Sequence, residues 1–183
     1  GSFAGFNNNN SNSTFIGHGA GSSTGVSNGT ALGAGAIVNA NNKVRIGNTS
    51  VLSIEGQVPF SPGSDRRLKE QIQPIQLGLE FIDKLQPVIY HRINNTEKDF
   101  EMGLIAQELK QLLSTYSIKY GTVQESADGF YTLRYNDLIA PMIKAIQELK
   151  AQLAEQRNIC QIQQDMIEKI VKMLNKTNES TTS

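Results

Sequence analysis

Two residues in this sequence have the types and spacing for nucleophilic chemistry, Ser64 and Lys69 in the run Ser64-Asp65-Arg66-Arg67-Leu68-Lys69. A serine hydroxyl attacks a carbonyl only when a nearby base takes its proton. A lysine amine can be that base where desolvation favours its neutral form. Serine–lysine pairs are a known variant of the nucleophile–base arrangement. Lys69 follows Ser64 by five positions, a poor neighbour spacing in a regular helix, so the pair requires an irregular turn. Composition supports a plainer reading as well, in which Ser64 or Asp65 caps a short helix and the basic residues form its solvated face. Spacing alone leaves both open.

Other chemistries find little support. The chain has one cysteine, Cys160, and two histidines, His18 and His91. It therefore offers no disulfide framework or multi-cysteine zinc site, and neither a Cys/His pair nor a Ser/His/Asp set stands out. His18 sits inside a repeat at the place taken by Ala34 in the next copy, which favours an exposed or stacked polar side chain over a ligand. No phosphate loop is visible, and neither a cofactor nor a metal is expected. A formal net charge of +0 and a pI near 6.9 argue against a nucleic-acid footprint or a polybasic membrane anchor. No apolar run approaches the roughly 20 residues of a membrane span.

The elements around the pair fall into two regimes. Residues 1–63 hold three charges (Lys43, Arg45, Glu55) and twelve of the sixteen glycines. The rest of the chain is highly charged and poor in glycine. Ser11–Ala20 aligns with Ser27–Ala36, and Asn42–Asn48 is a weaker third copy, so an apolar residue precedes glycine at Ile16, Leu32 and Ile46. Each copy reads as a short strand closed by Gly and Asn, which tolerate positive φ. Stacking the copies, and pairing them with other chains, is expected to bury the Ile16/Leu32/Ile46 row. The repeats resemble the head repeats of trimeric autotransporter adhesins and the β-helical shafts of phage tail fibres. An adhesive tip would need clustered aromatics, and this part offers only Phe3, Phe6, Phe15 and Phe60. Val58–Gly63, with two prolines and a glycine, reads as a break.

Beyond the break the pattern is mixed. Helices are expected over Gln76–Leu85, on Leu77, Phe81 and Leu85, and over Met102–Ser114, on Ile105, Leu109 and Leu112. A strand is expected over Pro87–Ile93, and a hairpin joins Val123 to Tyr131–Tyr135 about Asp128-Gly129. From Ile139 a heptad seam runs through Ile139, Met142, Ile146, Leu149, Leu153, Gln156, Cys160, Gln163, Ile167, Ile170 and Leu174. Aliphatic residues at both core positions suit three strands, while Gln156 and Gln163 set polar layers that fix register. Cys160 is expected to act as a small buried apolar residue. Lys176–Ser183 reads as a polar tail.

Ser64–Lys69 also matches the Ser-Asp-x-Arg-x-Lys start of the intramolecular chaperone auto-processing domain. That domain occurs in endosialidase-type phage tailspikes, other tail fibres and membrane-tethered myelin regulatory factors. Leu85-Gln86-Pro87-Val88-Ile89-Tyr90, Met102–Leu109 and Leu133–Pro141 resemble later segments of the same family, in order. The resemblance implies that Ser64 is the nucleophile and Lys69 its base, with cleavage at Gly63–Ser64 and Asp65 and Arg67 as supporting residues. It further implies a homotrimeric fibre on a virion or cell surface, freed from a chaperone that cuts itself off as a serine endopeptidase acting once in cis. The expected fold is α+β in three parts. Residues 1–63 form the end of a β-solenoid or triple β-helix shaft, 64–137 a small α+β body, and 138–183 a trimeric coiled coil with its tail. The partners are the other copies and upstream fibre domains. A trimerisation cap that does not cut is the alternative.

Overall fold

The structure is a computed structural model and describes residues 1–6, 9–23, 25–93, 99–126 and 128–181, with side chains to 176. It is a mixed α+β chain with small sheets and one long C-terminal helix, and it divides into two units. One unit holds residues 1–72 and 86–134. The other holds 73–85 and 135–183.

In the first unit, strands β1 (Thr14–Ile16), β3 (Thr30–Leu32) and β5 (Val44–Ile46) pair in parallel, with Thr14 opposite Thr30 and Thr30 opposite Val44. Strands β2 (Gly21–Ser22) and β4 (Ile37–Val38) form a second parallel pair. Each copy thus lies one rung above the next. The turns repeat as closely as the strands. Asn12, Asn28 and Asn42 all take φ of 53–55°, the left-handed region that Asn tolerates through local hydrogen bonding. Asn28 Nδ2 donates to Asn42 Oδ1 at 2.9 Å.

Gly17 also has positive φ (127°), and a Cβ there would stand 2.5 Å from the Gly33 backbone. Only glycine permits that approach between rungs. Gly33 lies over Gly47 at ordinary contact distance, and Val51 closes the stack, its side chain filling the space beside Gly47. Residues 1–6 add half a rung above. Gly19 N–H donates to Ser2 O as Gly35 N–H does to His18 O, and Gly5 N–H donates to Ala20 O as Gly21 N–H does to Ala36 O.

The interior of this stack is small: Ala20, Val26, Ala31, Ala36 and Val38, with Phe15 against them. Stacking within one chain leaves the Ile16/Leu32/Ile46 row outside this interior. The inward-facing residues are the middle ones of each strand, Phe15, Ala31 and Arg45, so strand alternation turns Ile16, Leu32 and Ile46 outward. Ile16 is 59% exposed, Val44 63% and Ile46 43%.

Among the described residues, the remainder of this unit contains two antiparallel pairs, one α-helix and a 3₁₀ turn. Strand β6 (Val88–Tyr90) pairs with β7 (Glu101–Gly103), and β8 (Val123–Glu125) with β9 (Tyr131–Leu133). Helix α2 (Ala106–Leu113) buries Leu109 and Leu113. The helix expected from Met102 begins four residues later, because Met102 lies opposite Ile89 in a ladder and Ile105 is still extended. Lys110 ties α2 to the β8–β9 hairpin, bonding Glu125 at 2.8 Å and the Tyr131 hydroxyl at 3.1 Å.

In the second unit, α1 (Leu79–Asp83) packs on the start of α3 (Ile139–Thr181). α1 is shorter than the expected 76–85, since Gly78 at its start provides no side-chain cap. Its missing cap comes from 69 residues away: Glu148 Oε2 accepts from Leu79 N–H at 2.7 Å. Leu77, Phe81, Leu138, Pro141 and Ala145 are buried here. Pro141 fits the first turn of α3, where its lacking N–H has no intrahelical partner to lose.

The bond from Leu79, and then Lys144, holds the Glu148 carboxyl below the usual glutamate range. A depressed folded-state pKa stabilises above the unfolded value of about 4.3 and loses that contribution as pH falls through the folded value. The melting midpoint of the α1–α3 unit should therefore drop between pH 5 and pH 3. Circular dichroism melts would check this, and Glu148→Gln should show a smaller drop.

Candidate functional site

The Ser64–Lys69 turn is built by its own residues. After Gly63 the chain enters a single 3₁₀ turn, Arg66–Leu68, whose N-cap is Asp65. The Asp65 carboxylate accepts from Arg67 N–H at 2.8 Å, as a capping side chain does. It also takes a two-point bond from the Arg67 guanidinium, Nε at 3.1 Å and Nη2 at 2.8 Å. These bonds, the side-chain pair first, hold Asp65 below the ordinary carboxylate range. With the Arg67 side chain 88% exposed, the pair contributes little to stability. Its effect is local, fixing the direction in which the turn begins.

Lys69 ends the turn in extended conformation (φ −128°, ψ 138°), its N–H returning to Arg66 O at 3.1 Å. This single irregular turn brings together the two ends of the run. Lys69 Nζ donates to Ser64 Oγ at 2.7 Å. A continuing α-helix would have carried the lysine past the serine. Asp65 and Arg67 thus shape the turn, and Lys69 touches the hydroxyl. Gly63, Ser64 and Lys69 are all exposed. Gly63 is outside the left-handed region, and its nearest neighbour on the side-chain face is Leu68 Cδ1 at 3.4 Å. Its lack of a side chain leaves the carbonyl open, rather than permitting an unusual backbone.

The histidines lie in other settings. His18 meets the Phe3 ring edge-on, and His91 stacks on Phe100 while Nδ1 lies 3.2 Å from Asp99 O. Among the described residues no group of three His, Cys, Asp or Glu side chains could hold a metal ion.

The predicted seam residues all lie on α3, and past Glu148 every described side chain of that helix is exposed. Ile146 is 64% exposed, Leu153 53% and Leu174 58%, and Cys160 is exposed with them. Three further residues belong to this face but fall outside the alternating three–four spacing. Ile159, Met166 and Met173, also exposed, each precede a seam position by one residue. They recur at a strict seven, which could have revealed them. The polar stretch 176–183 continues α3 to Thr181, and residues 182–183 lie outside the described part. No helix among the described residues is long and apolar enough to cross a membrane.

A scan against family models matches residues 64–116 to Peptidase_S74, chaperone of endosialidase. No curated protein matches the chain. The match begins at Ser64 itself and takes in the Ser64–Lys69 turn, α1, the β6–β7 pair and α2. Residues 64–116 are thus similar to the Peptidase_S74 family, chaperone of endosialidase.

Proposed function

We propose that this chain is the C-terminal end of a homotrimeric fibre, and that residues from Ser64 onward assemble it and then leave by self-cleavage at Gly63–Ser64. The observation that carries the reading is the 2.7 Å bond between Lys69 Nζ and Ser64 Oγ, immediately after Gly63 at the first residue of the family match. In the neutral form Lys69 takes the hydroxyl proton, and Oγ attacks the Gly63 carbonyl carbon. The Gly63–Ser64 C–N bond breaks, the Ser64 nitrogen is protonated, and Gly63 is left as an ester on Oγ. Water hydrolyses that ester, giving a Gly63 carboxylate and restoring the hydroxyl.

Assembly rests on α3. A 43-residue helix with an exposed apolar seam is not stable by itself in water. Partner copies along the seam cover it. The added row Ile159, Met166 and Met173 widens the apolar face, which favours three strands over two. The stacked copies in 1–63 then serve as the end of a β-solenoid or triple β-helix shaft, 64–137 as the chaperone body, and 138–183 as the coil. Parallel ladders with open edges need their chains in register before they zip together. The setting is a tail fibre of a virion or a bacterial surface fibre, with upstream shaft domains as further partners.

One observation favours the cap that does not cut. Lys69 is exposed in the single chain, so burial by neighbouring copies has to supply the desolvated base. Intact-mass analysis and a denaturing gel decide between the readings. The wild type should yield two pieces, 1–63 and 64–183, while Ser64→Ala stays whole at 20.0 kDa. A trimeric wild type that stays whole would establish the cap instead.

A further inference from the structure

Between the last rung and Gly63 lies a segment whose sequence and structure disagree. Leu52, Ile54, Gly56, Val58 and Phe60 alternate with Ser53, Glu55, Gln57, Pro59 and Ser61. A strict period of two, apolar on one side, specifies a strand with one buried face. In the single chain the stretch forms no strand, and its apolar side chains lie open: Leu52 62%, Ile54 58%, Val58 74% and Phe60 85% exposed. Pro59 falls on the polar side and limits the strand to an edge position, which Pro allows.

The same unit presents an unfilled surface of matching character. The outward rows of the β1–β3–β5 sheet leave Ile16, Val44 and Ile46 exposed, and the outer edge of β5 pairs with no described strand. Beside it opens a groove of about 680 Å³ that the segment's own Leu52 and Ile54 help to line, together with Ile46 and Ile93 and the charged Arg45, Arg92 and Glu101.

We infer that residues 52–60 of one copy form a strand that covers the outward Ile16/Leu32/Ile46 face of a neighbouring copy. The occupant is a second copy because this chain carries both halves and satisfies neither. The area agrees. Taking on the order of 100–150 Å² for each of these seven large side chains, below the aromatic figure, segment and rows together expose on the order of 700–1,000 Å² of apolar surface. With backbone and polar atoms added, that approaches the roughly 1,200 Å² at which specific interfaces begin. Glu55, on the polar side, is the segment's only charge, as suits the core of an interface. The inference rests on the assembly reading above and extends it. The exchanged strand lies N-terminal to Gly63, so it stays with the shaft and holds the copies together after the coil has gone.

Disulfide trapping tests this on the full chain in a Cys160→Ser background. Chains carrying Ile54→Cys and a size tag are co-expressed with untagged chains carrying Ile16→Cys, Leu32→Cys or Ile46→Cys. With the tag at the N-terminus, the expected result is a reducible band at the mass of one tagged plus one untagged chain, or of their two 1–63 pieces where cleavage has occurred. Ser53→Cys, on the opposite face, should lose that band. A protein that is trimeric by sedimentation but gives no mixed band with any pair overturns the inference and leaves the assembly reading intact. Equal trapping from Ser53→Cys and Ile54→Cys also overturns it, since a loose tail has no face. A mixed band from chains that keep Ser64 and Lys69 yet never cleave supports the exchange and removes only the self-cleavage.

Discussion

Replacing Lys69 with arginine should stop cleavage as completely as replacing it with alanine. Arginine retains the positive charge, most of the reach and the ability to donate to Ser64 Oγ, where Lys69 donates at 2.7 Å. It cannot accept a proton, because the guanidinium stays charged at any pH a protein survives. If Lys69 only organised the turn, the arginine variant would cut nearly as well as the wild type. If Lys69 is the base, both variants lose at least about 10³-fold in rate, toward the upper end of what a positioned general base supplies. The rate of appearance of the 1–63 piece, followed by intact mass, measures the loss. Circular dichroism of the arginine variant should be unchanged, since no other described side chain bonds the Lys69 amine.

Breaking the seam should be nearly as damaging, although it alters no atom near Ser64. Ile146→Asp with Leu149→Asp places two carboxylates per chain on a surface that assembly is expected to bury, and both residues are exposed in the single chain. In a monomer the substitutions are therefore tolerated. In a trimer they bring like charges together out of water, at a cost of several kcal/mol. Sedimentation should show a monomer. Cleavage should fall by at least about tenfold, the change that each 1.4 kcal/mol of lost coupling produces. A monomer that cleaves at the normal rate would separate cutting from assembly and remove the coupling from the proposal.

What the sequence reveals depends on how local its cause is. The positive-φ positions Asn12, Asn28 and Asn42 were legible because few residue types take that conformation. The start of α3 was legible because its seam repeats for many turns. The Ser64–Lys69 contact needs only a turn of six residues, all of them in the motif. Burial of the Ile16/Leu32/Ile46 row was expected from stacking together with pairing between chains, and stacking within one chain does not supply it. The apolar row Ile16/Leu32/Ile46 looks like a core, yet the middle row that faces inward includes Arg45, whose Nε is satisfied by Gly47 O at 2.9 Å. Hydrophobicity reports burial in the final assembly, not in one chain. The half-rung at residues 1–6 escaped notice because Phe3, at φ 60°, stands where the next copies have Gly19 and Gly35. Met102 was taken into a helix because a strand's partner, Ile89, is invisible to a local pattern. The Glu148 cap on α1 has the same origin, since nothing near Leu79 announces a carboxylate 69 residues away.

The stack of glycines from Gly17 through Gly33 to Gly47, closed by Val51, makes the repeat region a ruler. Each rung presents the next with the same bare backbone, so duplicating residues 17–32 inserts one more graduation of about 4.8 Å without disturbing its neighbours. Val51 is the zero mark: a side chain set where the next glycine would lie ends the count. Everything after it, including the segment proposed to exchange and the Ser64–Lys69 turn, keeps its distance from that mark however many graduations precede it. Such a protein can change its length by copy number alone while the finishing machinery stays the same.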